Sequence, residues 1–201
     1  MKKIILFGMG GHALSCVDVM LGQDLKIIGY IDKKEKKNYY KIPFLGPDQD
    51  IEIIRRKHKV IYSLISFGSH KLINARAKLF TKLISLKFIF IPVIAKTAYI
   101  SKMSKIDIGT IIMQNATINT GVEIANNCII NTNSVVDHNS KIGNNSIIST
   151  NVTINGNVKI GKNTFIGSGA VIFNDIIIGD NCIIGAGQII RKNLKNNSIV
   201  K

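Results

Sequence analysis

Disulfide and metal frameworks find little material in this chain. Its 201 residues include 3 cysteines, and Cys16, Cys128 and Cys182 form no CxxC pair, so no metal site is expected. No apolar run approaches the length of a membrane span, and Gly8 interrupts the apolar start before it can resemble a signal peptide. A cytoplasmic protein with no membrane insertion is therefore expected. Acidic residues are scarce, with 12 Asp+Glu against 27 Lys+Arg and a net charge of +15. Such an excess suits nucleic acid, an anionic membrane surface or a phosphorylated small molecule. The cations are mostly lysines, dispersed among isoleucine and asparagine, which reads as a solvated surface, and no nucleic-acid partner is expected. The basic run Lys33 to Lys41 (KKEKKNYYK) reads as a mobile loop. The length allows one or two domains with real cores.

What the chain has in abundance is isoleucine at a fixed period. Stepping by six from Ile94 reaches Ile100, Ile106, Ile112, Ile118, Ile124, Ile130, Val136, Ile142, Ile148, Ile154, Ile160, Ile166, Ile172, Ile178, Ile184 and Ile190. Four residues after each, the side chain is usually small or β-branched, as at Ala98, Ser104, Thr110, Ala116, Val122, Cys128 and Ser134. An α-helix turns every 3.6 residues and would smear this series around its surface. Short strands joined by tight corners would not. Three six-residue sides make an eighteen-residue triangular coil, with each isoleucine pointing inward and stacking on its counterpart one coil away. The series Gly143, Gly161, Gly179 would then fall on one edge. Between five and six coils at ~4.8 Å per strand give a prism roughly 27 Å tall, from about residue 93 to residue 191.

The first 92 residues follow other rules. Apolar Ile4 to Phe7 reads as a strand, followed by the loop Gly8-Met9-Gly10-Gly11-His12 and a helix from Ala13 to Met20 with Leu14 and Val17 inward. Further strands are predicted at Leu25 to Ile31, Val60 to Ser66 and Phe88 to Ile91, with a helix from about Lys71 to Ser85 and Pro92 at the junction. Alternating strands and helices imply a small, parallel, doubly wound α/β sheet, a Rossmann-like half domain. The segment Gly8-x-Gly10-x-x-Ala13 fits a dinucleotide fingerprint, with Asp32 closing the second strand. Such glycines let backbone N–H groups approach phosphate at a helix N-terminus, although a tight strand-to-helix turn alone would also want glycine. Ninety residues hold one mononucleotide half, so a sugar nucleotide is a better guest than NAD.

Four histidines compete for a chemical role. His58 lies among Arg56, Lys57 and Lys59 and reads as solvated. His70 follows the third strand at the ligand-binding edge of the sheet, where a site-lining and a surface role are both open. His12 closes the glycine loop. His138 follows the inward Val136 near a corner, among Asn131, Asn133, Asp137 and Asn139. One coil later comes Gly156, a backbone without a side chain about 5 Å away. An imidazole beside open backbone suits a general base facing an acyl donor.

Together these elements resemble the bacterial sugar acetyltransferases that include the sialic-acid O-acetyltransferases and the bacillosamine-pathway N-acetyltransferases. The resemblance rests on Ile4 to His12 (IILFGMGGH), Tyr30-Ile31-Asp32, Ser66-Phe67-Gly68, Asn131-Thr132, Val135-Val136-Asp137-His138 and Gly156-Asn157-Val158-Lys159-Ile160-Gly161. It spans the chain and implies that residues 93–201 form a left-handed parallel β-helix, against the usual right-handed crossover. It further implies a homotrimer, with acetyl-CoA in the groove between adjacent prisms and a nucleotide-activated sugar on the N-terminal domain. His138 matches the catalytic base, and Asn131 matches a polar residue beside it. Ile147, Gly156, Ser168 and Ala186 match coenzyme contacts. Gly10, Gly11, His12, Asp32, Lys33 and Gly68 match nucleotide-sugar contacts. Two positions depart from the bacillosamine type, which has a carboxylate where this chain has Asn139 and a second histidine where it has Ile147. Asp137 would supply the missing charge if the corner turned it toward the ring. The family's glycine-proline tail has no counterpart after Ser198-Ile199-Val200-Lys201, so the resemblance leaves that end of the coenzyme groove unspecified.

The reading that follows is acetyl-CoA-dependent transfer to an amino group of a nucleotide-linked sugar. Alternatives are O-acetylation of a sialic-acid-type sugar and a non-catalytic sugar-nucleotide-binding partner of another biosynthetic enzyme. A nicotinamide oxidoreductase stands behind these because of the small N-terminal domain.

Overall fold

A computed structural model describes residues 1–60 and 62–201. From Val93–Ile94 onward the chain winds through two-residue strands, one in every six residues up to Ile189–Ile190. These stack with an eighteen-residue offset into three parallel sheets, the faces of a prism. The first face has seven strands: Val93–Ile94, Ile111–Ile112, Ile129–Ile130, Ile147–Ile148, Phe165–Ile166, Ile183–Ile184 and Ile199–Val200. The second has six, from Tyr99–Ile100 to Ile189–Ile190, and the third five, from Lys105–Ile106 to Ile177–Ile178. The second residue of each strand faces inward and, together with small residues such as Ala116, Cys128 and Ala170, forms one continuous core. The prism is a left-handed parallel β-helix.

The corners explain why six residues suffice. Three positions after each inward residue, from Gly109 to Gly187, the backbone has positive φ without a break, and every residue there is Asn, Asp or Gly. A left-handed conformation costs most side chains about 1–2 kcal/mol, whereas Asn and Asp tolerate it by bonding locally and Gly has no Cβ to clash. Along one edge the corner amides also bond to one another, Asn127 to Asn145, Asn145 to Asn163 and Asn163 to Asn181, at 2.8, 3.0 and 3.2 Å. A Cβ on Gly143 would stand 2.6 Å from the Gly161 carbonyl carbon, so position 143 admits no side chain. The period breaks after Ile190. Leu194 pairs with Ile178 and Val200 with Ile184, each with an offset of 16. The prism thus continues past residue 191, to Val200, through a shortened last coil that strict six-residue counting misses.

The N-terminal sheet comprises β1 (Lys2–Phe7), β2 (Leu25–Ile31), β3 (Phe44–Gly46), β4 (Tyr62–Ile65) and β5 (Ile89–Phe90), all parallel in the order β3-β2-β1-β4-β5. Its helices are α1 (Gly11–Met20), α2 (Ile51–His58) and α3 (Ile73–Ser85). Central β1 is apolar on both faces, with Ile4, Ile5, Leu6 and Phe7 buried, as a strand covered on both sides must be. Sequence periodicity placed no element between Asp32 and Val60. The short edge strand β3 and the charged α2, whose buried side chains are only Ile51 and Ile54, give too weak an apolar pattern. The predicted strand from Val60 shortens to Tyr62–Ile65, and Ile61 lies outside the described residues. Nor is the Lys33–Lys41 run a free loop. The Tyr30 hydroxyl accepts the Lys36 N–H and donates to the Lys36 carbonyl, and the Lys36 ammonium pairs with Asp32 at 2.7 Å.

The two parts share a core. Buried α1 side chains, including Ala13, Cys16 and Val17, cluster with Val93, Ile111, Ile129 and Ile147, the outward residues of the first prism face. This is why that face carries paired isoleucines while the third presents Lys105, Glu123, Lys141 and Lys159. Arg76 of α3 fastens the junction. Fully buried, it donates to the carbonyls of Ile65 and Phe67 beside β4 and of Gly109 and Asn127 on the prism. Burial pulls its pKa down to about 10, so it stays cationic at neutral pH. Removing the guanidinium strands several buried carbonyls, each costing about 1–3 kcal/mol. Arg76→Ala is therefore expected to lower unfolding stability by about 3 kcal/mol or more, measured by urea denaturation. An unchanged midpoint would show that these bonds contribute nothing net.

Candidate functional site

The carboxyl ends of β1, β2 and β4 surround a cleft of about 430 Å³ lined by Gly8, Met9, Gly10, Asp32, Lys33, Lys36, Asp48, Phe67 and Leu72, among others. It lies where strand order reverses, the place at which open α/β sheets bind ligands. Gly8 has φ +98°, and a Cβ there would approach Phe67 to 2.9 Å. Gly10 caps the start of α1, and no atom lies within 4 Å of a Cβ built on Gly10 or Gly11. Protein packing therefore does not require glycine at these two positions, whereas an approaching phosphate would. Asp32 organises the rim, its carboxylate accepting the N–H groups of Met9 at 2.9 Å and Lys33 at 2.8 Å. Burial alone would raise its pKa, but the bonds from Lys36, Met9 and Lys33 hold it below the ordinary aspartate value. Lys36 and Asp48 escaped the sequence reading. A cation four residues after Asp32 was the available signal for the first, and none existed for the second.

Not every predicted contact reaches this cleft. A Cβ on Gly68 would overlap Ile129 and meet Ile147 at 3.6 Å, so Gly68 is where the loop after β4 closes onto the prism. His70 is exposed, its ring 5.4 Å from that of Phe165 at the same junction. Ile147, expected at the coenzyme, is 3 % exposed and packs beneath the N-terminal domain. Its side chain offers no surface to a coenzyme. The paired isoleucines every eighteen residues were the sequence signal for this packing role.

His138 occupies the edge between the second and third faces. Its ring lies over Gly156, and any side chain at 156 would collide with Cε1 and Nε2. Asn139 stands beside it, Nδ2 3.4 Å from the His138 Nδ1. Its amide can present either its carbonyl or its NH2 group, so it can orient either ring tautomer. Asp137 makes no hydrogen bond to the ring among the described residues. Its carboxylate accepts the His138 backbone N–H at 2.7 Å and the Asn119 amide at 2.8 Å. The Asn119 bond, then that N–H, hold its pKa below the ordinary value. The carboxylate thus fixes the corner backbone, and the amide of Asn139 is the ring's direct partner. The Asn131 side-chain Oδ1 accepts the Thr132 N–H at 2.9 Å, and no hydrogen bond joins Asn131 to His138 among the described residues. Ser168 and Ala186 form exposed ledges at the opposite edge of the second face, each followed by a glycine with φ +69° and open space around it. No cluster of three His, Cys, Asp or Glu side chains fit to hold a metal occurs among the described residues. Nor is any described helix long and apolar enough to cross a membrane.

Three family models match this architecture. The model for the PglD N-terminal domain matches residues 3–83. The bacterial transferase hexapeptide model (six repeats) matches 139–174, and the hexapeptide repeat of succinyl-transferase matches 114–138 and 157–192. These matches support a bacterial sugar acetyltransferase family for this chain. The chain is an acyltransferase with a PglD-type N-terminal domain. Among solved structures, PerB from Caulobacter crescentus in complex with CoA and GDP-perosamine is 25% identical, with a TM-score of 0.88 over 99% of this chain and 93% of that one. A histidine-to-asparagine variant of the Caulobacter crescentus perosamine N-acetyltransferase, also with CoA and GDP-perosamine, gives a TM-score of 0.91 at 24% identity over the same shares. The acetyltransferase domain of PglB from Neisseria gonorrhoeae gives 0.88 at 22% identity, over 99% of this chain and 96% of that one. No curated relative matches the acetyltransferase by sequence.

His12, at the second residue of α1, has a buried Nε2 without a hydrogen-bond partner. Burial, then the nearby Arg76 guanidinium, lower its pKa from 6.5 to about 4. Between those values the unfolded chain takes up a proton that the native state refuses. Stability is therefore full above pH 6.5 and declines as pH falls toward 4, by a few kcal/mol in all. His12→Gln should flatten this part of the curve, read from urea midpoints at fixed ionic strength. The same slope in both proteins would remove His12 from the account.

Proposed function

We propose that this acetyltransferase moves the acetyl group of acetyl-CoA onto an amino group of a nucleotide-linked sugar. His138 serves as general base. The observation that carries the reading is the imidazole seated over Gly156, where a thioester can approach an edge free of side chains. Neutral His138 takes the proton from the amine as the nitrogen attacks the thioester carbonyl carbon. The carbon–sulfur bond then breaks, and the imidazolium returns the proton to the leaving thiolate. Asn139 orients the ring. The glycine loop supports the other half of the reading: the free N–H groups at the start of α1 suit the phosphates of the sugar nucleotide, with Gly10, Gly11, His12, Asp32 and Lys33 around them. The CoA and GDP-perosamine bound to PerB are a spent donor and an acceptor of the kind proposed.

One chain does not complete such a site. The N-terminal domain covers the first face, whereas His138 stands on the edge opposite that face. The second face, between His138 on one edge and Ser168 and Ala186 on the other, presents Tyr99, Thr117, Val135, Thr153, Val171 and Ile189, with no charge among them. Turned inward in a three-fold ring, this face sets the His138 edge of one copy against the Ser168–Ala186 edge and N-terminal domain of the next. A homotrimer with sites between copies, coenzyme held by Gly156 on one side and Ser168 and Ala186 on the other, is the assembly we propose.

Three measurements test this reading. Gly10→Val is expected to abolish sugar-nucleotide binding while leaving acetyl-CoA affinity nearly unchanged. His138→Ala should lower kcat by about 10² to 10⁴. Light scattering at micromolar concentration should give a three-chain mass. Near-native turnover by His138→Ala, or a single-chain mass, would defeat the corresponding part of the proposal.

A further inference from the structure

The edge that holds His138 has a second feature. Counting by eighteen from Asp137 gives Asn155, Phe173 and Arg191; counting from His138 gives Gly156, Asn174 and Lys192. The alignment of the upper coils is direct, since the Phe173 N–H donates to the Ile190 carbonyl at 3.0 Å. Phe173 is 41% exposed, and the Arg191 guanidinium stands 4.9 Å from its ring centroid. No carboxylate pairs with Arg191 among the described residues. Between this pair and His138 the edge carries little bulk, because Gly156 has no side chain, Asn174 a short one, and the Asn155 amide is bonded to the Ile172 carbonyl. Below His138 the same columns give Asn119, Ser101, Thr120 and Lys102, with no aromatic ring. A half-exposed phenyl ring with an unpaired guanidinium over one face is a stacking surface joined to an anion clamp. It lies two to three coils from the imidazole, roughly 10–14 Å along the prism.

We propose that Phe173 and Arg191, with Lys192, hold the phosphorylated adenosine end of the acetyl donor: adenine stacks on Phe173, and the 3′-phosphate is bound by Arg191. The pantetheine arm then runs down the bare stretch of edge past Asn174 and Gly156, and the thioester reaches His138. This assignment rests on the acetyl-CoA reading given above and fixes the direction in which the donor lies. It also gives the excess positive charge at this end of the prism a ligand of opposite sign.

Calorimetric titration with CoA and with 3′-dephospho-CoA tests it. The native protein should bind CoA about tenfold more tightly than 3′-dephospho-CoA, a modest worth for one charge-assisted phosphate contact. Arg191→Ala should cancel that preference by weakening CoA about tenfold while changing 3′-dephospho-CoA less than twofold. Phe173→Ala should weaken both ligands, by about tenfold, since stacking does not depend on the phosphate. Both side chains are exposed, and unchanged melting temperatures would confirm that the variants are folded. Equal loss of both ligands in Arg191→Ala, or no loss of either, would overturn this assignment alone. Failure of the native protein to bind CoA at all would instead overturn the acetyl-transfer reading on which it rests.

Discussion

Everything in this molecule depends on a backbone that turns the corner every six residues. Each turn needs one residue in the left-handed region, and from Gly109 to Gly187 the chain supplies Asn, Asp or Gly there without exception. That regularity locks the eighteen-residue stack, and the stack decides which side chains share a face. Isoleucines accumulate outward on the first face, where α1 covers them, while lysines accumulate on the third. The second face is left uncharged, with His138 on one border and the Ser168–Ala186 ledges on the other. Position on the repeat therefore decides which side chains share a face or an edge more than any local motif does.

Two polar devices work against this apolar background. Arg76 is a buried cation that satisfies backbone carbonyls from both halves of the protein, making the junction one hydrogen-bonded unit. Asp32 ties the glycine loop to the turn that follows β2. Both act on backbone geometry, and neither occupies the open space above Gly10 and Gly11. The cleft proposed for the nucleotide is thereby braced by the protein's own bonds, which reduces the ordering cost of binding. At the other site, Asp137 performs the same service for the corner that carries His138.

Much of this was legible in the residues. The series from Ile94 to Ile190 predicts the prism, its faces and its core, because inward positions tolerate little but branched aliphatics. The fingerprint from Gly8 to Ala13 locates the cleft, and Gly156 predicts the open backbone beside His138. What was missed lies where burial is not periodic. The elements β3 and α2 carry few buried side chains, and the Lys33–Lys41 run is held by scattered polar contacts: the Tyr30 hydroxyl, the Lys36–Asp32 pair, the Asn38 amide on Ile42 and Tyr40 on Asp18. Ile147 was misplaced because alignment to a motif cannot tell a face that meets a ligand from one that meets another domain. The asparagines of the corners were in view throughout, and their period of six would have fixed the turn geometry from the sequence alone.

The central claim is that the nucleotide cleft of one copy works with the His138 edge of another. Mixing two inactive proteins, His138→Ala and Gly10→Val, and reassembling them together tests it most directly. The first retains an intact cleft and the second an intact imidazole. If sites form between copies, random assembly in a closed ring restores about a quarter of native activity, the share of interfaces that receive both intact halves. Activity that stays at the level of the separate variants after verified co-assembly would mean that each chain completes its own site, contradicting the account.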